Sequence, residues 1–172
     1  MKKLFALMLA LVMMMSVVAV AEEAVPSPKA GAAIGSFTPD GIVPGVVNAE
    51  DDEALQKLVT AVEEAGDNDT VFGSSGVEGL SQYVLVELVG LTLDNYDESM
   101  GEVTLNISFA SAFTQDMELL ALLGLINGNE VTWQSVQFAT EADGSLTITL
   151  TPEQAKDVAE GTAVLAILQK IA

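Results

Sequence analysis

The chain has 172 residues, and its 25 aspartates and glutamates against six lysines give a formal net charge of −19. It contains no cysteine, histidine or arginine, which excludes disulfides, thiolate or imidazole metal ligands, nucleophiles activated by histidine, and guanidinium binding of phosphate. Carboxylates, hydroxyls, a few lysines and one tryptophan carry the remaining chemistry, and the length is typical of one domain.

The chain begins with the features of a removable export signal. Lys2 and Lys3 form a basic start, residues 4–20 are apolar except for Ser16, and Ala19-Val20-Ala21 matches the small-x-small cleavage pattern. A membrane anchor is the alternative, but an apolar stretch this short is at the lower limit for crossing a bilayer. We therefore expect a signal peptide at 1–21, no membrane insertion after its cleavage, and a mature protein that is secreted or held at the cell surface.

Cleavage leaves 25 carboxylates against four lysines, a net charge of −21. This charge repels nucleic acid and anionic membranes, and it favours solubility or cationic partners. We expect no nucleic-acid partner, which leaves an unknown protein or a glycan.

Residues 22–49 contain four of the five prolines. Because proline fixes φ and cannot donate to a strand ladder, this segment is predicted to be a flexible leader without regular structure. Its apolar end, residues 42–47, is expected to lie against the domain. Residues 50–172 are predicted to form a helix plus a β-sandwich.

Helical periodicity follows the leader and then changes to strand periodicity. Apolar residues at helical spacing predict an amphipathic helix that begins near Glu50 and is stopped by Gly66. From Tyr83 onward the period is two, and a short helix that starts at Pro152 precedes the last strand. The predicted strands are 83–93, 103–109, 119–126, 131–138, 146–150 and 163–168.

Two turn signals connect these strands. Asn127-Gly128 and Asp143-Gly144 favour the positive φ values of tight hairpin turns. The segment Asp116–Leu123 is ambiguous, because an apolar run this short also fits a helix ended by Gly124. A strand is preferred, since the first turn needs a partner on its N-terminal side.

Several motifs between residues 80 and 168 resemble an immunoglobulin-like module of secreted and cell-surface proteins of Gram-positive bacteria. They are Leu91-Thr92-Leu93-Asp94, Gly101-Glu102-Val103-Thr104-Leu105-Asn106-Ile107, Asn127-Gly128-Asn129-Glu130-Val131-Thr132-Trp133 and Glu141-Ala142-Asp143-Gly144-Ser145-Leu146-Thr147-Ile148-Thr149. The resemblance implies no catalytic residues, because that module has no assigned activity.

The short connections also favour an antiparallel sandwich over a parallel βαβ sheet. We expect a mainly β protein, an antiparallel immunoglobulin-like sandwich of about six strands with an N-terminal amphipathic helix.

Two acidic loop clusters are candidates for binding calcium, which takes six to eight oxygen ligands. Neither has the spacing of a twelve-residue calcium loop. The alternative is a pair of solvated acidic turns, since aspartate and asparagine favour turns. The candidate ligands are Asp67, Asp69, Asp94, Asp97 and Glu98.

Trp133 and Tyr96 are candidate ligand contacts. If Val136 and Phe138 face the core, strand periodicity points Trp133 outward, where its ring could stack on a sugar. The alternative is a core tryptophan that closes one end of the sandwich.

Glu87 is the only acid inside a strongly apolar strand, where burial would raise its pKa. A glycosidase needs two carboxylates, and no partner for Glu87 is identifiable. A position at an edge facing water is therefore preferred.

The sequence predicts a secreted, non-catalytic binding or structural module. The alternatives are a calcium-assisted carbohydrate-binding module and a small carboxylate-dependent hydrolase.

Overall fold

The computed structural model describes residues 31–48, 51–127 and 130–171, which form nine strands and three α-helices. The strands are β1 (Ala33–Thr38), β2 (Val43–Asn48), β3 (Tyr83–Asp94), β4 (Val103–Ser108), β5 (Leu119–Asn127), β6 (Glu130–Ser135), β7 (Gln137–Thr140), β8 (Leu146–Leu150) and β9 (Thr162–Lys170). The helices are α1 (Glu53–Ala65), α2 (Asn68–Phe72) and α3 (Pro152–Glu160). The predicted signal peptide at 1–21 lies outside the described residues.

The strands form two antiparallel sheets. One has four strands in the order β1-β4-β8-β7, and the other has five in the order β2-β3-β9-β5-β6. Every pair of neighbouring strands is antiparallel. The prediction of a mainly β, antiparallel protein is therefore confirmed.

The main core lies between the two sheets. In β4, Val103, Leu105 and Ile107 are fully buried and the residues between them are not, as the strand period predicted. They belong to one apolar cluster with side chains of the other sheet, such as Leu91 and Leu165. Shared burial of the two inner faces makes the arrangement a sandwich.

The five-stranded sheet is also covered on its outer face. Leu55 and Leu58 of α1 and Phe72 of α2 form a second apolar cluster with Leu122 and Val164 of the sheet. Because β3, β5 and β9 are covered on both faces, they consist of almost continuous apolar sequence. In the four-stranded sheet, by contrast, β4 and β8 alternate between buried apolar and less buried polar residues.

Part of the predicted leader is ordered, and the expectation of no regular structure there is wrong for residues 33–38 and 43–48. These residues form β1 and β2, which are both sheet-edge strands. An edge strand tolerates Pro44, because its missing N–H can face away from the partner strand. Ile42 is buried in the main core, so the segment belongs to the domain.

The predicted single strand 131–138 is two strands in different sheets. β6 lies at the edge of the five-stranded sheet and β7 at the edge of the four-stranded sheet. Between them, Val136 is buried, and its N–H donates to the carbonyl of Ala121 at 3.0 Å. An apolar pattern does not show that a strand changes sheets, so the predicted number of strands was too low.

Both predicted hairpins are present. Asn127 pairs with Glu130 at the end of the β5–β6 hairpin, which confirms the strand interpretation of residues 119–123 over the helix. In the β7–β8 hairpin, Gly144 has a φ of +86°, a conformation that favours glycine.

Candidate functional site

Trp133 is only 2% exposed, so its prediction as a ligand contact is wrong. The alternative is correct in that the ring is buried, but it lies in the cluster on the outer face of the five-stranded sheet and not at an end of the sandwich core. Its ring packs edge-to-face on Phe72, with centroids 4.7 Å apart. Its backbone N–H donates to the Ser74 hydroxyl at 2.8 Å, which occupies one donor of the edge strand β6. The side chain does point away from the sandwich core, but a helical layer covers that face.

The two acidic clusters lie at opposite ends of β3. Asp67 and Asp69 are next to its start, since Asn68 donates to the carbonyl of Tyr83. Asp94 is its last residue. A strand of this length spans about 35 Å, so the two clusters cannot share an ion.

The carboxylates of the first cluster hold local backbone. Asp67 caps α2 and accepts from the Asp69 N–H at 3.0 Å and from the Thr70 hydroxyl at 2.6 Å. Asp69 accepts from the Leu80 N–H at 3.0 Å. These contacts agree with the alternative of an acidic turn.

The second cluster borders a crevice of about 230 Å³ against α3. Lys156 reaches into it and lies 2.7 Å from Glu98, and this contact raises the pKa of Lys156. Asp97 accepts from the hydroxyl and the N–H of Ser99, which lower its pKa. Glu98 is therefore paired with an ammonium group at the surface of the crevice.

Tyr96 borders the same crevice, but its hydroxyl is engaged. It donates to the carbonyl of Gly101 at 2.8 Å. Desolvation, with smaller contributions from Glu98 and Asp97, raises the pKa of Tyr96. Within the part of the chain that the structure describes, no group of three or more acidic side chains is arranged to hold a metal ion.

Glu87 is 1% exposed, so the expected position facing water is wrong. It pairs with Ile167 of β9. That residue belongs to the main core, and paired residues share a face. A register shift between Leu85 and Glu87 gives the strand this orientation. A hydrolase based on Glu87 would need its substrate inside the sandwich.

A groove of about 640 Å³ lies across the outer face of the four-stranded sheet. Sequence reasoning missed it. The alternation of polar residues in β4 and β8 was visible, but neither β1 nor the pairing of β4 with β8 was predicted. The groove is lined by Ser36, Phe37, Thr38, Thr104, Asn106, Glu141, Ala142, Asp143 and Thr147.

The strand register aligns short polar side chains into two rows across this face. The Asn106 row consists of Ser36, Asn106, Thr147 and Ala139, and the Thr104 row consists of Thr38, Thr104, Thr149 and Gln137. Neighbouring residues in a row are about 4.8 Å apart, and the rows are about 7 Å apart. Neither row contains a charged residue.

Hydrogen bonds fix one end of the groove. The Asn106 amide donates to the Ser145 hydroxyl at 2.8 Å and to the Thr147 hydroxyl at 3.3 Å. Thr147 in turn donates to Glu141 at 2.7 Å, and Ser145 donates to Asp143 at 2.7 Å. The Ser145 hydroxyl and N–H lower the pKa of Asp143. Both carboxylates therefore lie at the β7–β8 turn, beside the Asn106 row.

The chain matches no protein-family model, and no curated protein or solved structure is significantly similar to it. Within residues 31–48, 51–127 and 130–171, no helix combines the length and apolar character needed to cross a membrane. What the groove can bind therefore follows from its own side chains.

Proposed function

We propose that the protein is an exported, non-catalytic binding module of the extracellular or cell-envelope space, and that its binding face is the groove across the four-stranded sheet. One observation carries the proposal: a depression of about 640 Å³ lies over an ordered array of polar side chains. That volume is within the range of small-ligand sites.

The sequence supports the extracellular location in this proposal. Residues 1–21 have the pattern of an export signal. The resemblance of residues 80–168 to an immunoglobulin-like module of cell-surface proteins supports both an extracellular location and a binding role. We also propose that the sandwich is related to immunoglobulin-like domains.

Blocking the groove tests the binding role. Thr104→Tyr places a bulky ring in the middle of the groove, and Thr132→Tyr places the same ring on an exposed position of β6 in the other sheet. Both proteins and the unmodified chain, labelled and purified after secretion, are applied to arrays of glycans and envelope polymers. We expect binding that Thr104→Tyr removes and Thr132→Tyr retains. Equal binding by all three proteins, or none by any, would overturn the assignment.

Export has its own test. The full chain is expressed in a secreting bacterial host, and the mass of the protein in the medium is measured. We expect a chain that begins at Glu22. Recovery of the uncleaved chain from membranes would support the anchor instead.

A further inference from the structure

We infer that the ligand of the groove is an uncharged glycan chain that lies along the two rows, perpendicular to the strands. This inference rests on the proposed function and adds the chemical class of the ligand and its direction on the sheet.

The first argument is the absence of charge in the rows. The five row positions that line the groove hold hydroxyl and amide side chains: Ser36, Thr38, Thr104, Asn106 and Thr147. Carboxylates nevertheless outnumber lysines by 25 to four after residue 21. Depletion of charge is characteristic of the buried part of binding interfaces. Along the rows the groove therefore matches an uncharged polar molecule, and its two carboxylates, Glu141 and Asp143, lie at one end.

The second argument is hydrogen-bonding capacity. Hydroxyl groups both donate and accept, and side-chain amides provide donors and an acceptor. Sugar hydroxyls have the same dual capacity, so each can pair with a threonine, serine or asparagine without a matching charge. Glu141 and Asp143 add acceptors at one end of the groove, and a hydroxyl that donates to a carboxylate forms a strong hydrogen bond.

The third argument is repetition. Within the groove, β1, β4 and β8 place the residues of the Asn106 row over about 10 Å at regular intervals. A linear polymer offers the same groups at regular intervals, and it can follow both rows at once. The two carboxylates would repel an anionic polymer, as would the net charge of the domain.

Preorganisation lowers the cost of binding. The Asn106 amide is held by Ser145 and Thr147, so it loses little freedom when a ligand arrives. Phe37 lies opposite Leu105 in the register and so belongs to neither row, but its side chain is 41% exposed and lines the groove at its β1 edge. Binding is therefore expected to depend mainly on hydrogen bonds, with Phe37 as an apolar contact at one edge, and to be modest in affinity.

A matched pair of ligands tests the class. Oligomers of N-acetylglucosamine are neutral, and oligomers of glucosamine have the same backbone with positive charges. Glucose oligomers provide a second neutral probe. Each is titrated into the purified secreted protein by calorimetry, and affinity for a neutral oligomer is expected to increase with chain length until the rows are filled.

Variants locate the contact. Thr104→Val and Thr147→Val together remove two hydroxyls with little change in shape, and Thr132→Val removes one outside the groove. We expect the double variant to weaken neutral-oligomer binding about tenfold, with no change for Thr132→Val. Thermal melting of each variant shows that it is folded.

The remaining outcomes separate the two proposals. If only the glucosamine oligomers bind, and Thr104→Tyr removes that binding, the inference of an uncharged ligand is overturned while the groove remains a binding site. If no neutral oligomer binds in calorimetry or on the arrays, the inference fails. If binding occurs but none of the groove variants affects it, the proposed function fails as well.

Discussion

At the scale of single residues, Gly124 shows how closely the side chains on the outer face of the five-stranded sheet pack against one another. A Cβ at this position would lie 2.7 Å from Cζ3 of Trp133 and 2.8 Å from Cγ2 of Val164. Both neighbours are buried, so neither can move aside easily. We expect Gly124→Ala to lower the free energy of unfolding by about 1–3 kcal/mol, measured by urea denaturation.

Gly73 provides the matched control. It has a helical φ of −58°, and among the described residues nothing lies within 4 Å of a Cβ added there. Gly73→Ala is expected to leave stability unchanged or to raise it by about 0.5 kcal/mol. Equal stability of the two variants would contradict the packing described around Trp133.

Asp143 is expected to make the stability of the fold depend on pH in the acid range. Hydrogen bonds from the Ser145 hydroxyl and N–H hold its pKa below the usual value of 3.8. A carboxyl whose pKa is lower in the folded state stabilises the fold at higher pH, and this contribution is lost as the pH falls through the folded-state pKa. We expect Asp143→Asn to be less stable than the unmodified chain near neutral pH, with the difference disappearing in acid.

Urea denaturation at a series of pH values measures this effect. Asp40→Asn removes the same formal charge elsewhere on the surface, so it controls for relief of the overall negative charge. A destabilisation by Asp143→Asn that persists unchanged at low pH would show that the carboxylate is not responsible.

At the scale of elements, α3 begins with a capping box. The Thr151 hydroxyl accepts from the Gln154 N–H at 3.3 Å, and the Gln154 side chain accepts from the Thr151 N–H at 3.1 Å. Thr151→Ala is expected to lower the free energy of unfolding by about 1 kcal/mol, because it leaves an N-terminal donor of the helix without its partner. Thr151→Ser keeps the hydroxyl and should retain most of the stability. Chemical denaturation of both variants measures this, and equal losses would exclude the cap as the cause.

The strands themselves were easier to predict than the sheet in which each strand lies. Val103, Leu105 and Ile107 could be assigned to a core face because alternation is a local property of the chain. The separation of β6 from β7 could not be predicted, because it depends on the contact of Val136 with Ala121 on a neighbouring strand. The same limitation applied to Trp133: its orientation followed from the strand period, but its burial depends on α2 and on Ser74.

At the scale of the whole molecule, repulsion between carboxylates opposes the compact state. Lys57, Lys156 and Lys170 each pair with a glutamate at 2.7–2.8 Å, and many more carboxylates remain. Salt shortens the range of repulsion from about 30 Å at 0.01 M to about 10 Å at 0.1 M. We expect the melting temperature to rise over this range of sodium chloride. A fall would mean that the three ion pairs outweigh the general repulsion.

A comparison of two divalent cations distinguishes general charge screening from binding at a specific calcium site. With Lys156 beside Glu98, and with Asp67 and Asp97 engaged in capping, calcium and magnesium at equal millimolar concentration should raise the melting temperature equally. A larger shift with calcium would support the calcium site predicted from the sequence.

Composition and local period were sufficient to predict a strongly acidic, mainly β domain with two tight hairpin turns, because charge, alternation and turn preference are properties of neighbouring residues. The groove required more. Ser36, Asn106 and Thr147 are far apart in the chain, and they form one row only because β1 and β8 pair on either side of β4. Likewise, Trp133 and Glu87 are buried by layers contributed from distant segments. Those positions were decided by long-range pairing and packing, which join residues according to the total surface they bury rather than their distance along the chain.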